Sequence, residues 1–343
     1  MEIKQKLHDG WAQVMDGASF GCINVLQMRS RAGTHQAWEM EDYVSRWEGT
    51  SLDEFYRIPD DYEGGDLPES GSFRCPSPME SGTPENDHMH MDLWLGPKGW
   101  ESPVMFMLHG VMSVSDLGYR NWAKRLNDRG WTAIFFHLPY HYGRKPAKSV
   151  SGEMALTSNL IRTSEGIRQA VIELRWVCRE LKKRGVPHIG LWGMSYGGWI
   201  ASLLSVLESM VSTAWLLEPI VDVDLAIWES PASKTIRRQL KKRGISRDLV
   251  RRHLPLVCPT YHQPLVDPSR ILLVSGKFDR IAPPYSIEAL HRIWKGSHYA
   301  EYRQGHVGYQ LMKESMRFAE REFPELFVFN GLNAADDSDV IAS

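Results

Sequence analysis

Cysteine is scarce in this chain, and its cysteines are far apart. Among the 343 residues there are four cysteines, at positions 22, 75, 178 and 258. No Cys-x-x-Cys pair occurs, so the sequence offers neither a thiolate zinc site nor a dithiol redox motif. A disulfide framework is not expected either, because such frameworks need several closely spaced cysteines in a small domain.

Long apolar runs and a strong net charge are also lacking. No run is long enough to cross a membrane, and the first ten residues are polar, without the apolar core of a secretory signal. The formal net charge is −2, which gives no electrostatic basis for binding nucleic acid. We therefore expect a cytoplasmic protein with no transmembrane segment and no nucleic-acid partner.

The remaining composition is that of an ordinary globular protein. Hydrophobic residues make up 43% and charged residues 24% of the chain, close to the average for soluble domains. The length predicts one large domain with an accessory segment, or two domains. Metal-ligand spacing is not evident, since His88 and His90 only alternate along a predicted strand and have no carboxylate partner.

The pattern divides the chain into three parts. Residues 1–85 are aromatic but weakly periodic, and we predict an extension of short helices and a loop that packs on the main domain or on a partner, so it could mediate an oligomer. Residues 86–325 form the predicted core. Residues 326–343 are a tail, and its small polar end is predicted to be disordered.

Apolar strands alternate with amphipathic helices throughout the core. The runs at 104–108, 132–136, 188–192, 213–217 and 271–274 are typical of buried strands, and helical spacing of apolar residues follows them. This alternation predicts an α/β fold with a mostly parallel sheet. In such sheets, functional groups collect at the carboxyl ends of the strands.

One such strand end carries the sequence Gly193-Met194-Ser195-Tyr196-Gly197. A strand, a sharp turn and a helix would place the Ser195 hydroxyl at the tip of the turn, and glycines on both sides would avoid collisions with the neighbouring strand and helix. Such a serine is a candidate nucleophile. The alternative is a glycine-rich turn whose serine merely caps the helix.

Two further strand ends carry the groups that a nucleophilic serine needs. Serine requires a base, and the base requires a carboxylate that fixes its tautomer. Asp279 follows one apolar strand, and His306 lies between glycines after the last strand. Glu218, at the end of another strand, is the competing acid. His109 is expected to brace the loop after its own strand.

The order Ser195, Asp279, His306 resembles the triad of the α/β-hydrolase superfamily, over roughly residues 89–323. Within the superfamily, the core looks most like dienelactone-hydrolase-like and prolyl-oligopeptidase-like esterases. The resemblance implies a mostly parallel central sheet with helices on both faces and a helical lid insertion. A His-Gly-Gly-Gly cluster is missing, which argues against the hormone-sensitive-lipase-like subgroup.

An oxyanion hole needs two preorganised N–H donors. One should be the backbone of Tyr196, and the resemblance implies that the second comes from the loop after Gly110, at Val111 or alternatively at Met112. Met112, Tyr140 and His141 are predicted to contact substrate. For His141, a structural role is the alternative interpretation.

The lid insertion is predicted at about residues 219–268 and is strongly basic. We predict two short amphipathic helices within it, the second opened by Ser246 as N-cap. The basic side chains are either the solvated face of the lid or a surface that attracts an anionic substrate or a peripheral anionic membrane. They are Lys234, Arg237, Arg238, Lys241, Lys242, Arg243, Arg247, Arg251 and Arg252.

Together these features predict a serine hydrolase that cleaves a small-molecule carboxylic ester through an acyl-enzyme. Ser195, His306 and Asp279 would serve as nucleophile, base and orienting acid, and this chemistry needs no cofactor and no metal. Peptidase or acyltransferase activity on the same triad is one alternative. A non-catalytic binding protein on a hydrolase scaffold is another.

Overall fold

A computed structural model of the chain describes residues 2–29, 33–308 and 310–327; for residues 2–9 and 11–13 only the backbone is described. Most of the predicted tail, residues 328–343, lies outside the described residues. At its start, Leu326 and Phe327 are buried, and the Phe327 ring stacks on Trp215.

Eight strands form a single sheet in the spatial order β1-β2-β4-β3-β5-β6-β7-β8. At one edge, β1 pairs antiparallel with β2, and β2 pairs antiparallel with β4. All strands from β3 to β8 pair in parallel with one another. The mostly parallel sheet predicted from the alternation is confirmed. The strands are β1 (Gly71–Pro76), β2 (His88–Trp94), β3 (Val104–Leu108), β4 (Thr132–His137), β5 (Ile189–Met194), β6 (Val211–Leu217), β7 (Ile271–Gly276) and β8 (His298–Tyr302).

Helices cover both faces because the central strands are apolar on both sides. In β3, Phe106 belongs to one hydrophobic cluster and Met107 to the other. Helices α5 (Leu160–Lys183), α6 (Tyr196–Leu207) and α10 (Pro284–Ile293) contribute to the first cluster, and α4 (Leu117–Asn127) and α11 (Gln310–Glu322) to the second. This two-sided burial is what continuous apolar strands require.

The N-terminal region differs from the prediction of short helices. Its first helix, α1, runs over Glu2–Arg29, which is 28 residues, and is followed by the shorter α2 (Ala37–Trp47) and α3 (Leu52–Phe55). The apolar periodicity of α1 is weak; among its residues with described side chains, the buried ones are Asp16, Phe20 and Ile23. Pattern recognition in sequence therefore undervalues it.

The insertion between β6 and β7 contains three α-helices, the two that were predicted and one more that precedes them. They are α7 (Val223–Trp228), α8 (Lys234–Lys242) and α9 (Arg247–Val257). The predicted cap is confirmed: the Ser246 hydroxyl accepts a hydrogen bond from the Leu249 N–H at 3.1 Å. Ile236 and Leu240 are buried, as expected for the inner face of an amphipathic helix.

Candidate active site

Ser195 lies at the sharp turn between β5 and α6. Its backbone has φ 54° and ψ −113°, a strained conformation that non-glycine residues rarely adopt outside functional sites. A Cβ at Gly193 would lie 2.6 Å from the carbonyl oxygen of Gly197. At Gly197, a Cβ would lie 2.7 Å from the His109 carbonyl oxygen. Glycine is required at both positions because strand, turn and helix approach so closely.

The Ser195 hydroxyl is within hydrogen-bonding distance of His306, which in turn contacts Asp279. Ser195 Oγ lies 2.7 Å from His306 Nε2, and His306 Nδ1 lies 2.7 Å from Asp279 Oδ2. All three residues are buried. With Asp279 accepting from Nδ1–H, Nε2 is left as the acceptor for the serine hydroxyl.

Asp279 is itself held by the turn that follows β7. Its Oδ1 accepts hydrogen bonds from the backbone N–H groups of Ile281 at 2.7 Å and Ala282 at 3.0 Å. One carboxylate oxygen is therefore fixed by the backbone while the other faces His306. Such double anchoring sets the orientation of the imidazole ring.

Glu218, the competing acid, is fully buried at the end of β6 but lies farther away. Its Oε2 is 3.9 Å from His306 Nδ1, and both of its carboxylate oxygens lack a hydrogen-bond partner among the described residues. Burial raises the pKa of Glu218 well above its ordinary value, and the Asp279 and Asp16 carboxylates raise it further. This environment favours the neutral carboxylic acid.

The site contains one residue that the sequence analysis missed. Asp16, on α1, is fully buried, and its Oδ1 accepts a hydrogen bond from the backbone N–H of His306 at 2.6 Å. The two residues are 290 positions apart in the chain. No local motif surrounds Asp16, so nothing in the sequence pattern connects it to the histidine.

The loop after β3 lies next to Ser195. A Cβ at Gly110 would lie 3.6 Å from Ser195 Cβ, and Val111 lines the cavity above the serine. Tyr196 is the first residue of α6, so its N–H is one of the amides that have no acceptor within the helix. The two predicted oxyanion donors therefore come from elements that meet at Ser195.

Two buried histidines brace this loop from behind. His109 Nδ1 lies 3.0 Å from the Gly110 carbonyl oxygen, and its Nε2 accepts from the Leu138 N–H at 3.1 Å. His141 Nε2 lies 3.0 Å from the Val111 carbonyl oxygen. Burial lowers the pKa of His141 to about 4, which favours a neutral ring in this contact.

Of the three residues predicted to contact substrate, one lines the cavity. Met112 does, and its side chain is partly exposed. Tyr140 and His141 are buried and are not among the cavity-lining residues. The position of these two residues does not match the expected contact with substrate. For His141, the alternative interpretation, a structural role, agrees with its position. The reason is the fold of the loop after β4, which turns inward beneath the loop after β3.

A cavity of about 380 Å³ opens at Ser195 and His306. Its walls come from α1, the loop after β3, α5 and the insertion, and among the described residues none that line it is Asp, Glu, Lys or Arg. Apolar side chains predominate. They include Ile23, Met40, Leu156, Leu160, Ile167, Ile220, Val223, Ile227, Ile236, Val250, Leu254 and Val257.

The basic residues of the insertion do not line this cavity, and several of them are paired. Arg247 contacts Asp224 at 2.6 Å and Arg252 contacts Glu48 at 2.9 Å. Arg237 donates to the carbonyl oxygens of Ile227 and Ser230. Arg238 and Lys241 are exposed. Most of these basic side chains are therefore either exposed to solvent or paired with groups that hold the insertion in place.

One group of potential metal ligands occurs in the described part of the chain. Atoms of Glu218, Asp279 and His306 lie within 4.8 Å of one another. His306 Nδ1, however, already faces Asp279 at hydrogen-bonding distance, which is the geometry of an oriented imidazole. Within the described residues, no helix is both long and apolar enough to cross a membrane.

No protein-family model matches the chain. Among curated proteins, it is 26% identical over 231 residues to an uncharacterized protein from Mycobacterium tuberculosis, in strains H37Rv and CDC 1551. The match covers 64% of this chain and 53% of the relative, so the chain matches about half the length of its curated relatives.

The solved structures that resemble the chain share its fold at low sequence identity. Acetyl xylan esterase from Paenibacillus sp. R4 is 16% identical with a TM-score of 0.56, and acetyl xylan esterase 1 from Thermoanaerobacterium sp. JW/SL YS485 is 14% identical with a TM-score of 0.58; each match covers 88% of this chain and 98% of the other. Acylaminoacyl peptidase from Pyrococcus horikoshii is 15% identical with a TM-score of 0.52, over 74% of this chain and 41% of that one. This likeness shows the α/β-hydrolase fold.

Proposed function

We propose that this chain, which has the α/β-hydrolase fold, is a serine esterase. The observation that carries the proposal is the pair of 2.7 Å contacts linking Ser195 Oγ to His306 and His306 to Asp279. A serine hydroxyl is a weak nucleophile until a positioned base accepts its proton. This arrangement supplies that base in the correct tautomer.

In the proposed reaction, Ser195 Oγ attacks the ester carbonyl carbon while its proton passes to His306 Nε2. The carbonyl π electrons move to oxygen, and the N–H groups of Tyr196 and Val111 are placed to stabilise that oxyanion. Collapse of the intermediate breaks the C–O bond to the alcohol, which leaves with the proton from His306. Water then attacks the acyl-enzyme with the same base and releases the acid and Ser195.

The cavity supports a neutral, apolar acyl group as the part of the substrate next to the scissile bond. Apolar side chains from α1, α5 and the insertion make its walls, and no ionised side chain lines it among the described residues. Burying a charged substrate group there without a partner would cost several kcal/mol or more. An acyl chain loses no such solvation, and gains about 0.8 kcal/mol for each CH₂ group buried.

Peptidase activity is the second candidate, because one structural neighbour is an acylaminoacyl peptidase. The cavity argues against a free peptide amino terminus as the recognised group, since a carboxylate would be needed to pair with it. An N-acylated peptide lacks that charge, so an acyl-amino-acid amide belongs in the substrate panel.

The test is labelling of the wild type and Ser195→Ala by a fluorophosphonate, followed by turnover of p-nitrophenyl esters from acetate to decanoate. We expect labelling of the wild type only, and a kcat/KM that rises beyond acetate before it falls. Absence of labelling at Ser195 in the folded wild type would refute the esterase proposal. Faster turnover of an acyl-amino-acid p-nitroanilide than of any ester would favour the peptidase.

A further inference from the structure

Helix α1 reaches the catalytic histidine from outside the hydrolase core. Asp16 Oδ1 accepts from the His306 backbone N–H at 2.6 Å and lies 3.4 Å from the Val307 N–H. The carboxylate is fully buried. It therefore ties the loop that carries His306 to the N-terminal helix.

The loop is shaped to receive this carboxylate. A Cβ at Gly305 would lie 2.6 Å from Asp16 Cγ, so any side chain at position 305 would displace the acid. The second oxygen, Asp16 Oδ2, is buried without a hydrogen-bond partner among the described residues. If Asp16 served only to hold the loop, a hydrogen bond to Oδ2 would stabilise the folded protein, since an unpaired buried oxygen costs about 1–3 kcal/mol.

Helix α1 is itself anchored on the insertion, about two turns after Asp16. Asn24 Nδ2 donates to the Pro231 carbonyl oxygen at 3.0 Å, and Asn24 Oδ1 accepts from the Thr235 N–H at 2.9 Å. Phe20 and Ile23 pack with Ile281, which follows Asp279. Helix α1 therefore contacts three elements: the insertion, the loop that carries Asp279 and the loop that carries His306.

We propose that Asp16 is a positioning residue of the catalytic site, holding the His306 loop through its backbone and stabilising the charged imidazole that forms during catalysis. This inference rests on the proposed function of Ser195, His306 and Asp279. Negative charge beside an imidazole favours the protonated form, which is the form that appears as Ser195 loses its proton.

Three acidic groups face His306, each from a different element. They are Asp279 after β7, Glu218 after β6 and Asp16 on α1. Burial lowers the pKa of His306, but Asp279, through charge and hydrogen bond, and Asp16, through charge, raise it above its ordinary value. The pKa of Asp16 is itself raised above its ordinary value, first by burial and then by the Asp279 charge, although the His306 charge and the backbone N–H groups of His306 and Val307 lower it. Asp16 and Asp279 therefore act on the histidine in the same direction.

The Asp16→Asn variant separates charge from geometry, because an amide oxygen can still accept from the His306 N–H. We expect the pKa of His306, followed by NMR titration, and the acid limb of kcat/KM to move to lower pH by about half a unit or more. KM should stay within about twofold while kcat falls roughly tenfold. Asp16→Ala removes the loop contact too, and should lower kcat about a hundredfold.

Asn24→Ala is the matched control, since it loosens α1 from the insertion without altering the contact to His306. It should leave the pKa of His306 unchanged. An unshifted His306 pKa in Asp16→Asn, or an equal shift in Asn24→Ala, would overturn the inference. The NMR titration needs no turnover, so it decides the role of Asp16 even if Ser195 proves inactive towards every ester.

A second measurement tests the contact itself in folded Asp16→Ala; if that variant folds poorly, Asp16→Asn, which keeps the size and shape of the side chain, still decides the inference. Gly305→Ala should reduce activity in the wild type and cost much less in the Asp16→Ala background, because the atom it collides with is gone. A double-mutant cycle on kcat/KM should show coupling between the two positions. Additive effects would contradict the proposed contact.

Discussion

Glu218 Oε2 lies 3.9 Å from His306 Nδ1, whereas Asp279 Oδ2 lies 2.7 Å from the same nitrogen. Two acids at the ends of neighbouring strands thus approach one histidine, and the distance separates them. Asp279 makes the hydrogen bond. Glu218, without a partner among the described residues, is held in an environment that favours its neutral form.

This difference predicts unequal effects of removing the two acids. Asp279→Asn should lower kcat by about 10³–10⁴, because the amide favours the wrong imidazole tautomer. Glu218→Gln removes no hydrogen bond to His306, because Glu218 Oε2 lies 3.9 Å from Nδ1, and should change kcat less than tenfold. Steady-state kinetics on one p-nitrophenyl ester checks both. A larger loss for Glu218→Gln would mean that Glu218, after β6, orients the imidazole ring instead of Asp279.

Replacement of Ser195, the proposed nucleophile, gives the largest expected loss. Ser195→Ala should reduce kcat by roughly 10⁴ or more, because no acyl-enzyme can form. Melting temperature should stay close to that of the wild type, since only a hydroxyl group is removed. The paired measurement is turnover and thermal unfolding on the same preparation. Near-wild-type turnover in a folded variant would exclude Ser195 as the nucleophile.

The pH dependence of kcat/KM follows from the environment of His306. Burial lowers the pKa of His306, but Asp279 and Asp16 raise it above the ordinary value of 6.5, and the neutral ring is the form that accepts the proton of Ser195. Activity should therefore be full above that pKa and fall as pH drops through it, with a limb above pH 6.5. A pH series of kcat/KM locates the limb; a limb below pH 6 would contradict the assignment.

The apolar wall of the cavity can be tested on one helix. Ile236 and Leu240 lie one turn apart on α8 and are both buried, but only Ile236 lines the cavity. Each change to alanine should cost about 2–4 kcal/mol of unfolding free energy. Only Ile236→Ala should shift the preferred chain length, towards longer acyl groups. The same shift in Leu240→Ala would mean that packing of the insertion, not the cavity wall, sets the preference.

The exposed charge of the insertion should have no selective effect on substrate. Salt screens exposed charges over about 8–10 Å, and no charged residue lines the described cavity. Salt and the double change Arg238→Glu with Lys241→Glu should therefore alter KM equally for a neutral and an anionic ester. A rise in KM for the anionic ester alone would support the alternative, a surface that steers anions to the site.

Arg237 lies in the same basic helix but is less suitable for this charge-reversal experiment than Arg238 or Lys241. It donates to the carbonyl oxygen of Ile227, near the end of α7, and to that of Ser230, between α7 and α8. Replacing it would disturb the shape of the insertion as well as its charge. Arg238 and Lys241 are exposed and change the charge alone.

The sequence by itself determined the elements whose signals are local. The glycines around Ser195 specify a tight strand-to-helix turn, the apolar runs specify buried strands, and Ser246 specifies a helix start. The parallel sheet then places Asp279 and His306 at the same edge as Ser195, because the carboxyl ends of parallel strands meet there. Local chemistry, this topological rule and the resemblance in chain order to the α/β-hydrolase triad together predicted that these three residues meet, with Glu218 left open as the alternative acid.

Tertiary structure alone decided the contacts between distant segments. Asp16 contacts His306 across 290 positions of the chain, and the weak apolar periodicity of α1 does not predict this contact. Tyr140 and His141 follow a strand as binding residues often do, yet the fold of their loop buries them. The choice between Glu218 and Asp279 depends on about 1 Å of distance and on burial, because both acids follow parallel strands and only packing sets their separation from the imidazole.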